Sequence, residues 1–302
     1  MSGPSALPDP VAIAIPAILL VTIVDIVVKA RKKKRDYELR DSATSLVLSF
    51  VNIGVAAALA TTNDRLALRV FEFRLFDIGH AWWAFVLIFF ADDLVFYWYH
   101  RLMHQHRWWW AAHVTHHDSQ HFNITTGVRQ PWLNSLSLLW WTAWLPLSLV
   151  GFPLDLILFQ LGVSKVYQIM IHTESIRKLP RWVEWIFNTP SNHRVHHATN
   201  PAYLDRNYGG ILMIWDRLFG TYAEENDAIA CRYGVMKNVA TFNPIRLATY
   251  EWLAIGRDVL RAKTWKERWL YVVGAPGWSP DGSSRTAAEL RAEWEKTRGT
   301  PT

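Results

Sequence analysis

The first hundred residues alternate between apolar runs of membrane length and short polar stretches. Residues 12–28, 43–60 and 81–99 each come close to the roughly 20 apolar residues that one helical crossing of a bilayer needs. A fourth run, 136–171, is long enough for two crossings and is broken near Gly151-Phe152-Pro153, so its halves could also form a hairpin that enters and returns. The pattern predicts an all-α, multi-span integral membrane helical bundle. From Leu247 to Val272 the spacing is that of an amphipathic helix carrying Trp252, Trp265 and Trp269, suited to the bilayer surface. After Gly274-Ala-Pro-Gly the chain turns polar, and Thr286-x-x-Glu289 has the form of a capping box that opens a short charged helix. The pattern divides the chain into one membrane-integrated domain, 1–275, and a polar tail, 276–302.

Charge orients the bundle. Arg31-Lys32-Lys33-Lys34-Arg35 directly follows the first run. Such a cluster marks the cytoplasmic side and anionic lipid headgroups, so the net charge of +6 calls for a bilayer and not for nucleic acid. The stretch Met1 to Pro10 has no positive n-region, so the first run reads as a retained anchor with the N-terminus outside. Counting crossings then places 100–125 and 172–222 together on the cytoplasmic face, of a bacterial inner membrane or of the endoplasmic reticulum. Trp108-Trp109-Trp110 and the stretch from Arg177 to Trp185 have the composition of headgroup anchors. A content of 51% hydrophobic residues with 18 Trp is too apolar for an average soluble domain. The single cysteine, Cys231, excludes an intramolecular disulfide and a cysteine metal cage.

The chemistry lies in the histidines. Nine of the twelve fall into H-x-x-x-H at His100 and His104, H-x-x-H-H at His113, His116 and His117, H-x-x-H-H at His193, His196 and His197, and the isolated His172. Chance would supply H-x-x-H-H roughly 0.02 times in such a chain, and it occurs twice. On a helix, positions i, i+3 and i+4 share a face, so each triad is expected to point one way. Nine imidazoles are too many for one ion and about right for two. The predicted cap is therefore a histidine-rich, di-metal helical cap. All-imidazole sites suit Fe, Cu, Zn or Ni, so ligand type alone does not choose the metal. Beside lipid, a two-metal centre with room for an exogenous ligand is suited to activating dioxygen. Asp93, Glu174 and Asp216 are the candidates to receive the ligands' outer N–H groups. His121 is a candidate tenth ligand; His80 and His106 fit no box and read as interfacial. Transport is disfavoured, because a transporter would string its ligands along a midplane pathway.

The three boxes, in this order, resemble the fatty acid hydroxylase/sterol desaturase superfamily of membrane di-iron enzymes. Asn207-Tyr-Gly-Gly-Ile-Leu-Met-Ile-Trp-Asp-Arg-Leu-Phe-Gly-Thr221, Asn188 to His197 and Pro276 to Asp281 are most similar to its alkylglycerol monooxygenase branch and bacterial relatives. The resemblance covers Asp92 to Asp281 and implies that the nine histidines hold two iron ions. It implies O2 as co-substrate and hydroxylation of a lipid C–H bond, on an alkylglycerol, sterol, fatty acid or carotenoid. A desaturase using the same centre is the alternative, and a non-catalytic membrane metal-binding protein a remote one. No flavin or nicotinamide fingerprint is present, so electrons are expected from a donor protein or a soluble reductant. One departure stands out: relatives often carry histidine where this chain has Asn192, which makes Asn192 a further candidate to brace the centre, as a weaker partner to a metal or its water.

Overall fold

The computed structural model describes residues 7–31, 36–133 and 142–298. Among them, thirteen helices and two isolated β-bridges make up the regular structure. Helix α1 (Pro10–Arg31) starts where the Asp9 carboxylate accepts the Val11 N–H at 2.9 Å. It is built inside out: Ile13 and Leu20 are 66% and 62% exposed, whereas Asp25 and Lys29 are buried. An apolar outer surface and a polar inner one suit a lipid solvent, since water would reverse the preference. Asp25 pairs with Lys29 at 3.4 Å and accepts from Tyr37 (2.7 Å), Thr173 (2.9 Å) and Ser175 (2.5 Å). Helix α2 (Leu39–Phe71) is capped by Glu38, whose carboxylate accepts the Asp41 N–H at 2.6 Å. Together with α3 (Trp82–Gln105), these are three helices long and apolar enough to cross a membrane. The basic cluster that orients the sequence reading lies, beyond Arg31, outside the described residues, as do 134–141 of the fourth run.

The described part of that fourth run is two helices, α6 (Leu145–Val150) and α7 (Leu154–Met170). The interruption has a steric cause. Gly151 sits at φ +120°, and a Cβ there would lie 1.9 Å from the Phe76 carbonyl oxygen, so only glycine lets the two strands of chain pass. Leu75 N–H donates to Leu149 O at 2.8 Å alongside it. The 17 residues of α7 rise about 26 Å, short of the roughly 30 Å hydrocarbon core. It packs between α1 and α3, with Leu156 and Ile157 meeting Ala84, Ile88, Tyr99 and Trp144 in the main apolar core.

Past α3 the chain forms the cap: α4 (Arg107–His117), α5 (Ile124–Val128), α8 (Arg181–Ile186), α9 (Pro190–His197) and α10 (Ile214–Leu218). The stretch expected as one amphipathic helix over 247–272 is two, α11 (Pro244–Arg261) and α12 (Trp265–Val273). The break comes from Thr264 and Glu267, which form a capping box: Thr264 Oγ1 accepts the Glu267 N–H at 3.1 Å, and Glu267 accepts the Lys263 N–H at 2.7 Å. Local capping outcompetes continuation of the pattern. Leu253, Leu260, Trp265 and Trp269 stay exposed on this pair. Helix α13 (Ala287–Arg298) is the short tail helix; Thr286 and Glu289 cap it reciprocally, and Arg291 ties it to the Leu204 carbonyl at 2.7 Å.

Candidate metal centre

All nine box histidines converge, and they do so as two groups. His100, His104, His113, His117 and His196 form one; His116, His172, His193 and His197 form the other; within each, the ligating atoms lie within 4.8 Å of one another. Eight of the nine are buried and His113 is half-buried. The groups abut: the His117 and His197 rings stack at 4.3 Å, and those of His193 and His196 at 5.3 Å.

The partition differs from the expectation that each triad points one way. On α4, His113 and His117 enter the five-histidine group while His116 enters the four-histidine group. On α9, His193 and His197 enter the four-histidine group while His196 crosses to the other. The reason is the 3.6-residue turn: i and i+4 are nearly aligned, but adjacent residues diverge by about 100°. Each helix therefore gives an aligned pair to one group and its odd member to the neighbour.

The ring nitrogens are sorted. His100 Nδ1 meets the Tyr208 carbonyl at 2.9 Å, His116 Nδ1 the Arg129 carbonyl at 3.0 Å, His172 Nδ1 the Gln168 carbonyl at 2.6 Å, and His196 Nδ1 the Arg206 carbonyl at 3.0 Å. A carbonyl only accepts, so in each case Nδ1 carries the proton and Nε2 a lone pair. Nε2 atoms across the two groups face one another at short range: His100 to His113 at 3.1 Å, His113 to His117 at 3.0 Å, His172 to His193 at 3.0 Å and to His197 at 3.2 Å. Nε2 of His104 and of His196 are buried with no hydrogen-bond partner. Converging lone pairs repel unless a cation sits among them, so the donor set fits two metal ions. Burial, reinforced by neighbouring imidazoles, holds His113, His117, His193, His196 and His197 well below the ordinary histidine range, and burial, helped by the Arg129 charge and by His104, pushes His116 down to about 4. All are neutral near pH 7, the form that binds metal.

The acids singled out in the sequence do other work. Asp93 accepts the backbone N–H of Ile211 (2.7 Å) and Leu212 (3.0 Å) and the Trp215 indole (2.9 Å). Asp216 accepts from Tyr208 N–H (2.8 Å), Gly209 N–H (2.7 Å) and Thr221 Oγ1 (2.6 Å). Between them they clamp the 207–212 turn, whose Tyr208 carbonyl holds His100. Glu174 accepts the Tyr233 hydroxyl at 2.7 Å, and Tyr233 stacks on Phe122, which stacks on His172. Asn192 uses its amide on the Glu184 (3.0 Å) and Phe187 (3.1 Å) carbonyls and shapes the start of α9. His121 lies in neither group. His80 meets Asp155 at 2.9 Å at the opposite end of α3, and His106 Nδ1 meets the Val273 carbonyl. Trp110, expected as a headgroup anchor, instead walls the centre, 5.0 Å from His104 and 5.5 Å from His117.

Two supports went unseen in the sequence. Asp205, held at φ 53°, lies 3.4 Å from His104 Nδ1. Arg129 is buried between Asp41 (3.0 Å) and Asp118, donates to the Thr115 carbonyl (2.8 Å), and presents its own carbonyl to His116. Its one sequence signal is isolation: it is the only charged residue between Asp118 and Asp155.

A cavity of about 580 Å³ opens on both groups, touching His100 and His113 of one and His116, His172 and His193 of the other. It runs along α7 past Leu158, Phe159 and Leu161 toward Leu7 and Val11 at the start of α1.

Comparison with known proteins agrees with this geometry. Residues 85–221, which contain all nine converging histidines, match the fatty acid hydroxylase family model. Alkylglycerol monooxygenase of Xenopus tropicalis is 31% identical over 282 residues, covering 90% of this chain and 60% of that protein. Alkylglycerol monooxygenase of Homo sapiens is 36% identical over 170 residues, 56% of this chain and 37% of the other. Ornithine lipid hydroxylase OlsE of Rhizobium tropici is 34% identical over 97 residues, 32% of this chain and 29% of the other. This chain thus spans 60% or less of the length of each of these relatives. No solved structure matches.

Proposed function

From a chain whose residues 85–221 match the fatty acid hydroxylase family model, we propose an integral membrane, O2-dependent di-iron hydroxylase that acts on a lipid C–H bond. One observation carries the reading: two inward-facing sets of histidine Nε2 atoms share a largely apolar cavity of about 580 Å³ between membrane-capable helices. Two iron ions held there would supply the oxidising power for an unactivated C–H bond. The protein's own residues do the rest. Phe159, Leu158 and Leu161 exclude water and bind a hydrocarbon chain, and the carbonyls of Tyr208, Arg129, Gln168 and Arg206 hold the imidazoles in the ligating tautomer. The relatives are named monooxygenase and hydroxylase, which favours hydroxylation over desaturation. The histidine cap faces the cytoplasm in this reading, and electrons come from a separate donor.

The test is oxygen-dependent appearance of hydroxylated lipid per unit of membrane-inserted protein. Iron should approach two per chain after anaerobic purification. His196→Ala should abolish product while the chain still inserts, because insertion rests on apolar length. His80→Ala should keep turnover, since that ring lies at the far end of α3 against Asp155. One stoichiometric zinc with full activity, or wild-type turnover by His196→Ala, would overturn the reading.

A further inference from the structure

Lys165 lies on α7, in the wall of the cavity that serves both histidine groups, with its side chain exposed. Its ammonium makes no hydrogen bond, ion pair or ring contact with any described residue, and the described residues include every Asp and Glu of the chain. A cation in such a place is costly. The neighbouring turn carries Gly162, where a Cβ would lie 2.8 Å from Pro10 Cδ, so α7 is packed directly on the start of α1. Around it the wall is mostly hydrocarbon, from Leu158, Phe159, Leu161, Ile169 and Trp144, with Ser164 and Gln168 as neutral polar neighbours. An ionisable side chain in a largely apolar cavity wall without a protein partner marks a site whose partner is a ligand.

The two acids in the same wall are engaged elsewhere. Asp9 accepts the N–H groups of Val11 (2.9 Å) and Ala12 (3.3 Å), and Asp155 pairs with His80 at 2.9 Å. Asp155 stands ten residues before Lys165, about 15 Å along the helix axis. In the other direction α7 ends at Met170, about 7.5 Å further along its axis, and His172 follows just beyond that end and lines the same cavity. Between them Gln168 also lines the cavity. A linear amphiphile lying along α7 would therefore set its head on Lys165 and a nearby stretch of its chain against the four-histidine group.

We propose that Lys165 is the headgroup-binding residue of the cavity and selects an amphiphile whose head bears an anionic oxygen, a carboxylate or a phosphate. The proposal rests on the hydroxylase reading for what happens to the bound lipid, but not for binding itself. Lys165 touches the head and not the reacting carbon.

The test is calorimetric titration of the full, iron-loaded chain in a neutral detergent at pH 8. The probes are oleate, oleoyl lysophosphatidic acid, monooleoylglycerol and inorganic phosphate. The two anionic amphiphiles should bind at least tenfold more tightly than monooleoylglycerol, and inorganic phosphate should not bind. Lys165→Met should bring all three amphiphiles within twofold of one another while leaving the monooleoylglycerol affinity unchanged, which also reports that the variant is folded. Lys165→Arg should keep the preference. Persistence of the preference in Lys165→Met, its absence in the unaltered chain, or phosphate binding as tightly as the amphiphiles would overturn the proposal. His196→Ala separates the two readings. It should lose turnover and keep the anion preference, so a failure of the hydroxylase reading leaves the binding result standing and the reverse also holds.

Discussion

If the two histidine groups are the two ion sites, paired substitutions should count ions according to space and not to sequence. His116 and His117 are neighbours in the chain but belong to different groups, whereas His116 and His172 are 56 positions apart and share one. Apparent binding energies of about 10–16 kcal/mol for a four-ligand site give roughly 2.5–4 kcal/mol per ligand, or two to three powers of ten in affinity. His116→Ala leaves three ligands in its group and should lose that ion under a chelator challenge that spares the other. His117→Ala leaves four in its group and should retain more metal than His116→Ala does. The decisive comparison is between doubles. His116→Ala with His172→Ala damages one site, so the chain should still hold about one iron. His116→Ala with His117→Ala weakens both sites and should hold clearly less. The assay is elemental analysis of anaerobically purified protein after dialysis against a fixed chelator concentration. If the adjacent double keeps one ion and the distant double keeps none, each triad serves its own ion and the crossed partition is wrong.

Other consequences are as direct. Arg129→Met should leave Asp41 and Asp118 buried without their cation, at a cost of about 3–5 kcal/mol, part of which Asp118 recovers by protonation because burial already pushes its carboxyl up to about 7; an unchanged thermal unfolding midpoint in detergent would contradict the buried pairing. Cysteines introduced at Ser5 and Gln120 should react with an impermeant maleimide from opposite sides of the membrane. The native Cys231 should stay silent at pH 8, since burial and then Glu225 push its thiol up to about 12; labelling of both sites from one side would refute the orientation. Burial also lifts the Asp216 carboxyl to about 6 despite three donated hydrogen bonds. The folded state therefore holds this proton more tightly than the unfolded chain, and about 3 kcal/mol of stability present below pH 3.8 is lost as pH rises through 6. Asp216→Asn should remove that slope from the pH dependence of the denaturant midpoint; an unaltered slope would show that another group sets it.

The parts of this molecule that were legible in its sequence are those written in side-chain type and spacing. Apolar length marked α1, α2 and α3, and imidazole spacing marked eight of the nine converging histidines; the ninth, His172, came from the family resemblance. What stayed hidden depends on directions in space. The allocation of His116 and His117 to different groups follows from an angle about the α4 axis, and the same residue spacing is compatible with a shared face. The supports of the ligands are mostly backbone carbonyls, at Tyr208, Arg129, Gln168 and Arg206, which no side-chain pattern announces. The acids drew attention because carboxylates commonly brace histidine ligands, yet Asp93 and Asp216 brace the turn that carries a carbonyl instead. Lys165 was absorbed into an apolar run because one charge does not alter the hydropathy of a segment. The α11–α12 break was encoded, in Thr264 and Glu267, but the amphipathic spacing continued across it and masked the cap.

The arrangement around Asp25 bears on how the chain is assembled. Its hydroxyl partners, Thr173 and Ser175, lie 148 and 150 residues further along, so α1 leaves the ribosome long before they exist. A bare carboxylate waiting in a bilayer for that time would be expelled. Lys29 is only one helical turn away, at 3.4 Å, and Tyr37 and Asp36 follow within a dozen residues. The charge is thus neutralised by neighbours made in the same few seconds of synthesis, and α1 can insert as a self-sufficient unit. What arrives later is neutral. Thr173 and Ser175 add two hydrogen bonds without moving any charge across the membrane, and in doing so they join the first helix to the residue that directly follows His172. Completion of the four-histidine group is thereby coupled to the docking of the segment synthesised first.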